Sequence, residues 1–101
     1  MSKEFDLGRV IVTDPVRNMM NLDQKFSKFV QLALGRHSNL DWGRLSAEEK
    51  QKNDEALASK GKIVSVYKRP GMQKDDPMAY ISIITEEGHK QTTIIFEKEN
   101  V

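Results

Sequence analysis

Between Leu22 and Leu34 apolar side chains recur every three or four residues: Leu22, Phe26, Phe29, Val30, Ala33 and Leu34. That is the period of one helix face, and Lys25, Lys28 and Gln31 fall largely outside the stripe. The spacing predicts a main helix that starts at Asn21, with Gln24 completing a capping box, and ends or loosens at Gly35. A second helix start is written in Ser46-Ala47-Glu48-Glu49, where the Ser46 hydroxyl and the Glu49 carboxylate can cap each other's backbone N–H. This helix is expected to run to about Lys60, with Gly61 just past its end. Its apolar stripe is thin, Ala56 and Leu57, so most of it faces water; Asn53, one turn earlier, is the candidate polar residue on its inward side.

Elsewhere the pattern changes to short β-branched runs. Val10–Thr13 reads as a first strand, stopped by Asp14-Pro15, where Pro15 suits the first position of a helical turn and Asp14 is the expected cap. Met19 and Met20 are expected at the core edge. Ile63–Tyr67, Tyr80–Thr85 and Thr92–Phe96 read as three further strands, the last two a hairpin across Glu86–Gln91 with Gly88 in the turn. Lys68–Pro77, with two prolines, a glycine and several charges, reads as a mobile loop. The order β-α-α-β-β-β predicts one α+β domain over residues 1–101, an antiparallel sheet of three to four strands backed by two helices. Ile81 and Ile83 would lie on one sheet face, Tyr80 and Ile84 on the other. Two helices cover only one of these, so either the first strand and chain ends wrap the second face or a homodimer buries it.

Composition narrows the chemistry. With 38% apolar and 31% charged residues, the 101-residue chain suits a small globular domain. No apolar run approaches the ~18 residues of a membrane helix, and the start Met1–Asp6 does not resemble a signal peptide. The absence of cysteine excludes disulfides and thiolate zinc sites, and a cytoplasmic location is expected. Net charge is +1; residues 1–45 carry seven Lys/Arg against five Asp/Glu, and residues 46–101 nine against ten. No basic half marks the chain as a nucleic-acid binder.

Candidate sites are few. His37 and His89 are the only histidines, too few for a metal centre. His89 reads as an exposed turn residue, and His37 as a tie from its loop to backbone. Ser38 and Ser46 lack the strained turn and nearby base of a nucleophile. Glu48-Glu49, Asp75-Asp76 and Glu86-Glu87 read as solvated surface, and no glycine-rich phosphate loop occurs. Neither a cofactor nor catalysis is expected. Asp41-Trp42-Gly43 draws most interest, because a large aromatic on a loop either pins that loop to the core or serves as a ligand platform. The preferred reading is structural: Asp41 makes an Asx turn, Trp42 packs over the helices and Gly43 allows the reversal. The alternative gathers Arg36, His37, Asp41, Trp42 and Asn53 around a shallow pocket for a nucleotide or phosphorylated signal. The Arg36–Arg44 connection and the Lys68–Pro77 loop are the surfaces favoured for partner binding.

Read end to end, Gly8-Arg9-Val10 with Thr13, Phe26-Ser27-Lys28-Phe29-Val30, Arg36-His37, Asp41-Trp42-Gly43 with Leu45, Glu49-Lys50, Asn53 and Ala56-Leu57 form an ordered series. Ser65-Val66-Tyr67, Ile83-Ile84-Thr85-Glu86 and Thr92-Thr93-Ile94 continue it. The series resembles a family of short plasmid-related proteins of unknown function carried by plasmids, integrative elements and phages. Arg44 stands where that family has an acidic residue, Ser82 replaces a tryptophan, and Phe96-Glu97-Lys98 lacks the usual proline and tyrosine. The resemblance implies a mobile-element setting and no particular reaction. Combined with size and residue content, it leads to the expectation of an accessory protein that binds and blocks a host defence component. A small nucleotide is the alternative ligand, and a DNA-associated plasmid maintenance role a third reading.

Overall fold

The computed structural model describes residues 5–99; Met1–Glu4, part of the start weighed above as a leader, lies outside them. The elements run β1 (Arg9–Val12), α1 (Asp14–Leu22), α2 (Gln24–Ser38), α3 (Ala47–Ser59), β2 (Ile63–Lys68), β3 (Tyr80–Thr85) and β4 (Gln91–Phe96). The fold is α+β. Its sheet is ordered β1-β4-β3-β2, with β2–β3 and β3–β4 antiparallel and β1 parallel to β4. It is therefore mixed rather than purely antiparallel.

One more helix is present than the pattern suggested, giving the order β-α-α-α-β-β-β. The segment after Pro15 carries Val16, Met19 and Met20 at helical spacing, enough to bury Val16 completely and pack both methionines on the core. Asp14 is the first helical residue rather than the cap. Thr13 occupies the cap position, and its hydroxyl donates to Glu99 instead of capping the helix. The break between α1 and α2 falls at Asp23, not Asn21. Asp23 has extended backbone, and its carboxylate accepts from the N–H of Lys25 (2.9 Å) and of Phe26 (3.3 Å), the arrangement of an N-cap. Leu22 is thereby left out of the stripe, 84% exposed. Gly35 does not end α2, which continues through Arg36 and His37 to Ser38; Leu40 then reverses the chain at φ 69°. At the end of α3 the left-handed residue is Lys60 (φ 58°) rather than Gly61, while the Ser46–Glu49 capping box forms as expected.

The register sorts the strand residues onto two faces. Ile63, Ser65 and Tyr67 of β2, Ile81, Ile83 and Thr85 of β3, and Thr92, Ile94 and Phe96 of β4 align on one face, each at most 3% exposed. Against them α1 and α2 lay Val16, Phe26, Val30 and Ala33. At about 25 cal/mol per Å² of apolar surface, each fully buried Val, Ile or Phe side chain here contributes about 1.5–3 kcal/mol. On the second face Val66, Ser82 and Ile95 are buried, and Val64, Tyr80 and Ile84 are half-buried. A smaller core of Trp42, Ala56 and Ile63, with Phe5, Leu45 and Leu57 against it, joins α3 to the sheet.

Candidate functional site

The Asp41-Trp42-Gly43 segment sits beside the β2 edge, and its glycine explains how. Gly43 has φ 73°, and a Cβ there would lie 2.0 Å from the Val66 carbonyl oxygen. Only glycine lets the backbone approach this closely. The Val66 N–H donates to the Trp42 carbonyl (3.2 Å) and the Arg44 N–H donates to the Val66 carbonyl (2.7 Å), so residues 42–44 act as a short extra strand. Two residues earlier, at Val64, the edge is closed by a side chain. The Asn53 amide donates to the Val64 carbonyl (2.7 Å), and its oxygen accepts from the Val64 N–H (3.2 Å). Asn53 is thus inward as expected, and its role is that of a surrogate strand.

Trp42 is 4% exposed, between Phe5 and the His37 ring, and its indole N–H donates to Asp54 at 3.2 Å. Asp41 makes the expected Asx turn to the Gly43 N–H (3.3 Å). Its carboxylate also takes two bonds from Arg36, from Nε (2.7 Å) and Nη2 (3.3 Å), while the Arg36 guanidinium lies 4.8 Å over the Tyr67 ring. The Arg36 donors hold the Asp41 carboxyl below its ordinary range. The residues gathered above as one pocket therefore separate. Arg36 and Asp41 form an exposed pair, His37 and Trp42 lie in the core, and Asn53 closes a strand edge. Arg44 reaches over Tyr80 on the other sheet face, its guanidinium 5.8 Å from the ring.

His37 is no loop residue. It lies in the last turn of α2, fully buried, with Nδ1 2.6 Å from Ser65 Oγ and Nε2 2.9 Å from Thr85 Oγ1. The proton positions follow from the far end of the chain of bonds. Leu7 offers only a carbonyl, so Thr92 Oγ1 donates to it (2.7 Å) and must accept from Thr85 Oγ1 (2.8 Å). Thr85 then accepts from His37 Nε2–H, and His37 Nδ1 accepts the Ser65 hydroxyl proton. The imidazole is neutral in this arrangement. Burial, followed by repulsion from His89, pushes its pKa down from 6.5 to about 4. Ser65 points at His37 as a nucleophile points at its base, yet Ser65, His37, Thr85 and Thr92 are each 0% exposed. The chain of hydroxyls instead satisfies buried polar groups and ties α2 to β2, β3 and β4. Its signal in the sequence is the presence of Ser65, Thr85 and Thr92 at inward strand positions. His89 is likewise not an exposed turn residue: at 7% exposure and φ 56°, it donates from Nε2 to the Gly61 carbonyl (2.9 Å) and packs on Phe5.

Among the described residues no group of three or more His, Asp or Glu could hold a metal ion, and no helix is long and apolar enough to cross a membrane. What the surface does offer is the outer flank of α2. Leu32 is 71% exposed there, between two shallow apolar grooves. One groove is lined by Lys25, Lys28, Phe29, Arg69 and Pro70, the other by Gly35, Arg36, Asn39 and Asp41. The favoured surfaces, Arg36–Arg44 and Lys68–Pro77, thus meet along one helix. Comparison with known protein families, with curated proteins and with solved structures finds no match.

Proposed function

We propose that this chain is a non-enzymatic binding protein that acts on another protein through the outer flank of α2. The observation that carries the reading is a division of labour among its side chains. The groups with chemical capacity, His37, Ser65 and Trp42, are buried and bonded to one another or to structural partners. Leu32, by contrast, is 71% exposed in the middle of an apolar strip along α2. A single exposed leucine means little, as Leu22 shows at 84% exposure, but Leu32 joins two apolar grooves into one contiguous strip, and a contiguous apolar patch is what an interaction surface presents. A host defence component is the first class of partner to test, a choice that rests on the sequence likeness to mobile-element proteins alone. A tagged copy is expected to retain one stoichiometric partner from bacterial lysate, and Leu32→Glu to lose it while keeping the native melting temperature. Equal retention by both proteins, or no partner in hosts of different defence content, defeats the proposal.

A further inference from the structure

Resting on that reading, we infer that the α2 groove takes an acidic amphipathic helix from its partner. The two grooves share Leu32 and together follow α2 from Lys25 to Asn39, about 21 Å at 1.5 Å per residue, which matches about four turns of a helix laid alongside. Their apolar lining includes Phe29, Leu32 and Pro70, with Leu32 as the ridge the two grooves share. Each end is fixed by an arginine that lies on an aromatic ring and is tied to a carboxylate. Arg36 sits over Tyr67 and bonds Asp41; Arg69 sits 4.8 Å over Phe26 and bonds Asp23. Both ends are therefore set before any partner arrives, which lowers the ordering cost of binding.

Charge selects the occupant. The two arginines are offset by their aspartates, whereas Lys25 and Lys28 stand on the rim with no carboxylate within ion-pair distance among the described residues. The groove is left with two surplus positive charges beside an apolar lining, which favours a ligand with leucine-like anchors on one face and Asp or Glu flanking them. Strand addition is not on offer beside it, because Asn53 and residues 42–44 occupy the neighbouring β2 edge.

The test uses the full chain and a four-turn fluorescein-labelled peptide of leucine and glutamate in amphipathic order, with a leucine–lysine peptide of the same pattern as counterpart. The acidic peptide is expected to saturate the protein, weaken as salt rises, and shift backbone amides of α2 and of Arg69. Lys25→Glu/Lys28→Glu is expected to cut its affinity by about tenfold or more, with the circular dichroism spectrum and melting temperature retained. Equal binding of the lysine peptide, no saturation by the acidic one, amide shifts confined to the second sheet face, or a free protein that self-associates through Leu32 would each overturn the inference. A lysate partner lost on Leu32→Glu but indifferent to the lysine reversals would refute the acidic helix and leave the binding role standing.

Discussion

Acidification tests the interior most sharply, because His37 is the buried group whose titration falls where few others do. Its pKa lies near 4 in the folded chain and near 6.5 once unfolded. Above pH 6.5 the imidazole is neutral in both states, and its contribution to stability is fully present. As pH falls from 6.5 towards 4 the unfolded chain takes up a proton that the folded one refuses, so stability drops. Linkage gives a loss of about 3 kcal/mol as the pH approaches 4, most of it already present by pH 4.5. For a domain held together by about 5–15 kcal/mol this is a large fraction. Asp23, Asp41 and Glu49 are held below their ordinary values by donors from Phe26, Arg36 and Ser46 respectively, so their stabilisation persists until the pH falls through the carboxylate range. The interval from pH 6.5 to 4.5 is accordingly the one in which His37 dominates. Urea denaturation followed by circular dichroism at several pH values through that interval measures the slope. His37→Gln provides the control, since an amide can donate to Thr85 and accept from Ser65 without titrating; it is expected to flatten the profile whatever it costs at pH 7. A wild-type profile already flat over the interval, or an unchanged slope in the variant, refutes the neutral, doubly bonded imidazole.

The backbone makes three further predictions. Gly43→Ala sets a Cβ 2.0 Å from the Val66 carbonyl at positive φ and is expected to cost more than about 2 kcal/mol, read as a fall in melting temperature; an unchanged melt contradicts the close approach. Lys60→Gly relieves a left-handed residue at the α3 terminus and is expected to stabilise by about 1 kcal/mol, so a lower denaturation midpoint would count against it. Asn53→Leu leaves the Val64 N–H and carbonyl without partners, with an expected loss of about 2 kcal/mol in denaturant and new concentration-dependent light scattering from the opened β2 edge. Stability and scattering both equal to wild type would remove Asn53 from that role.

Periodicity carried the architecture well where one local signal acted alone. Ser46–Glu49 capped α3, and the alternation in residues 63–67, 80–85 and 92–96 placed strands and faces within a residue of their positions. It failed where two signals competed. Asn21 and Asp23 both suit a helix start, and the geometry of the α1–α2 corner chose Asp23, leaving Leu22 in water. Gly35 is a helix stop by propensity, but the bonds from His37 to Ser65 and Thr85 lie across 28 and 48 residues of sequence and favour nearly one turn more. The parallel pairing of β1 with β4 has the same origin, a long-range contact with no local mark. At the site, the structural reading of Trp42 and the inward place of Asn53 were legible from residue type and spacing. The hydroxyl partners of His37 were not, because inward Ser65, Thr85 and Thr92 mark a polar spot on the face without saying which distant side chain fills it. Nor was the exposed flank of α2, since Leu32 falls just outside the stripe that defines the helix.

Trp42 is the chain's only tryptophan, so its fluorescence reports directly on whether the loop belongs to the interior. The packing of its ring predicts blue-shifted emission, poor quenching by acrylamide until the domain unfolds, and no response to added nucleotides. Red-shifted emission that acrylamide quenches freely in the folded protein, or a saturable change on adding a nucleotide, would contradict a buried peg and move the function into that loop.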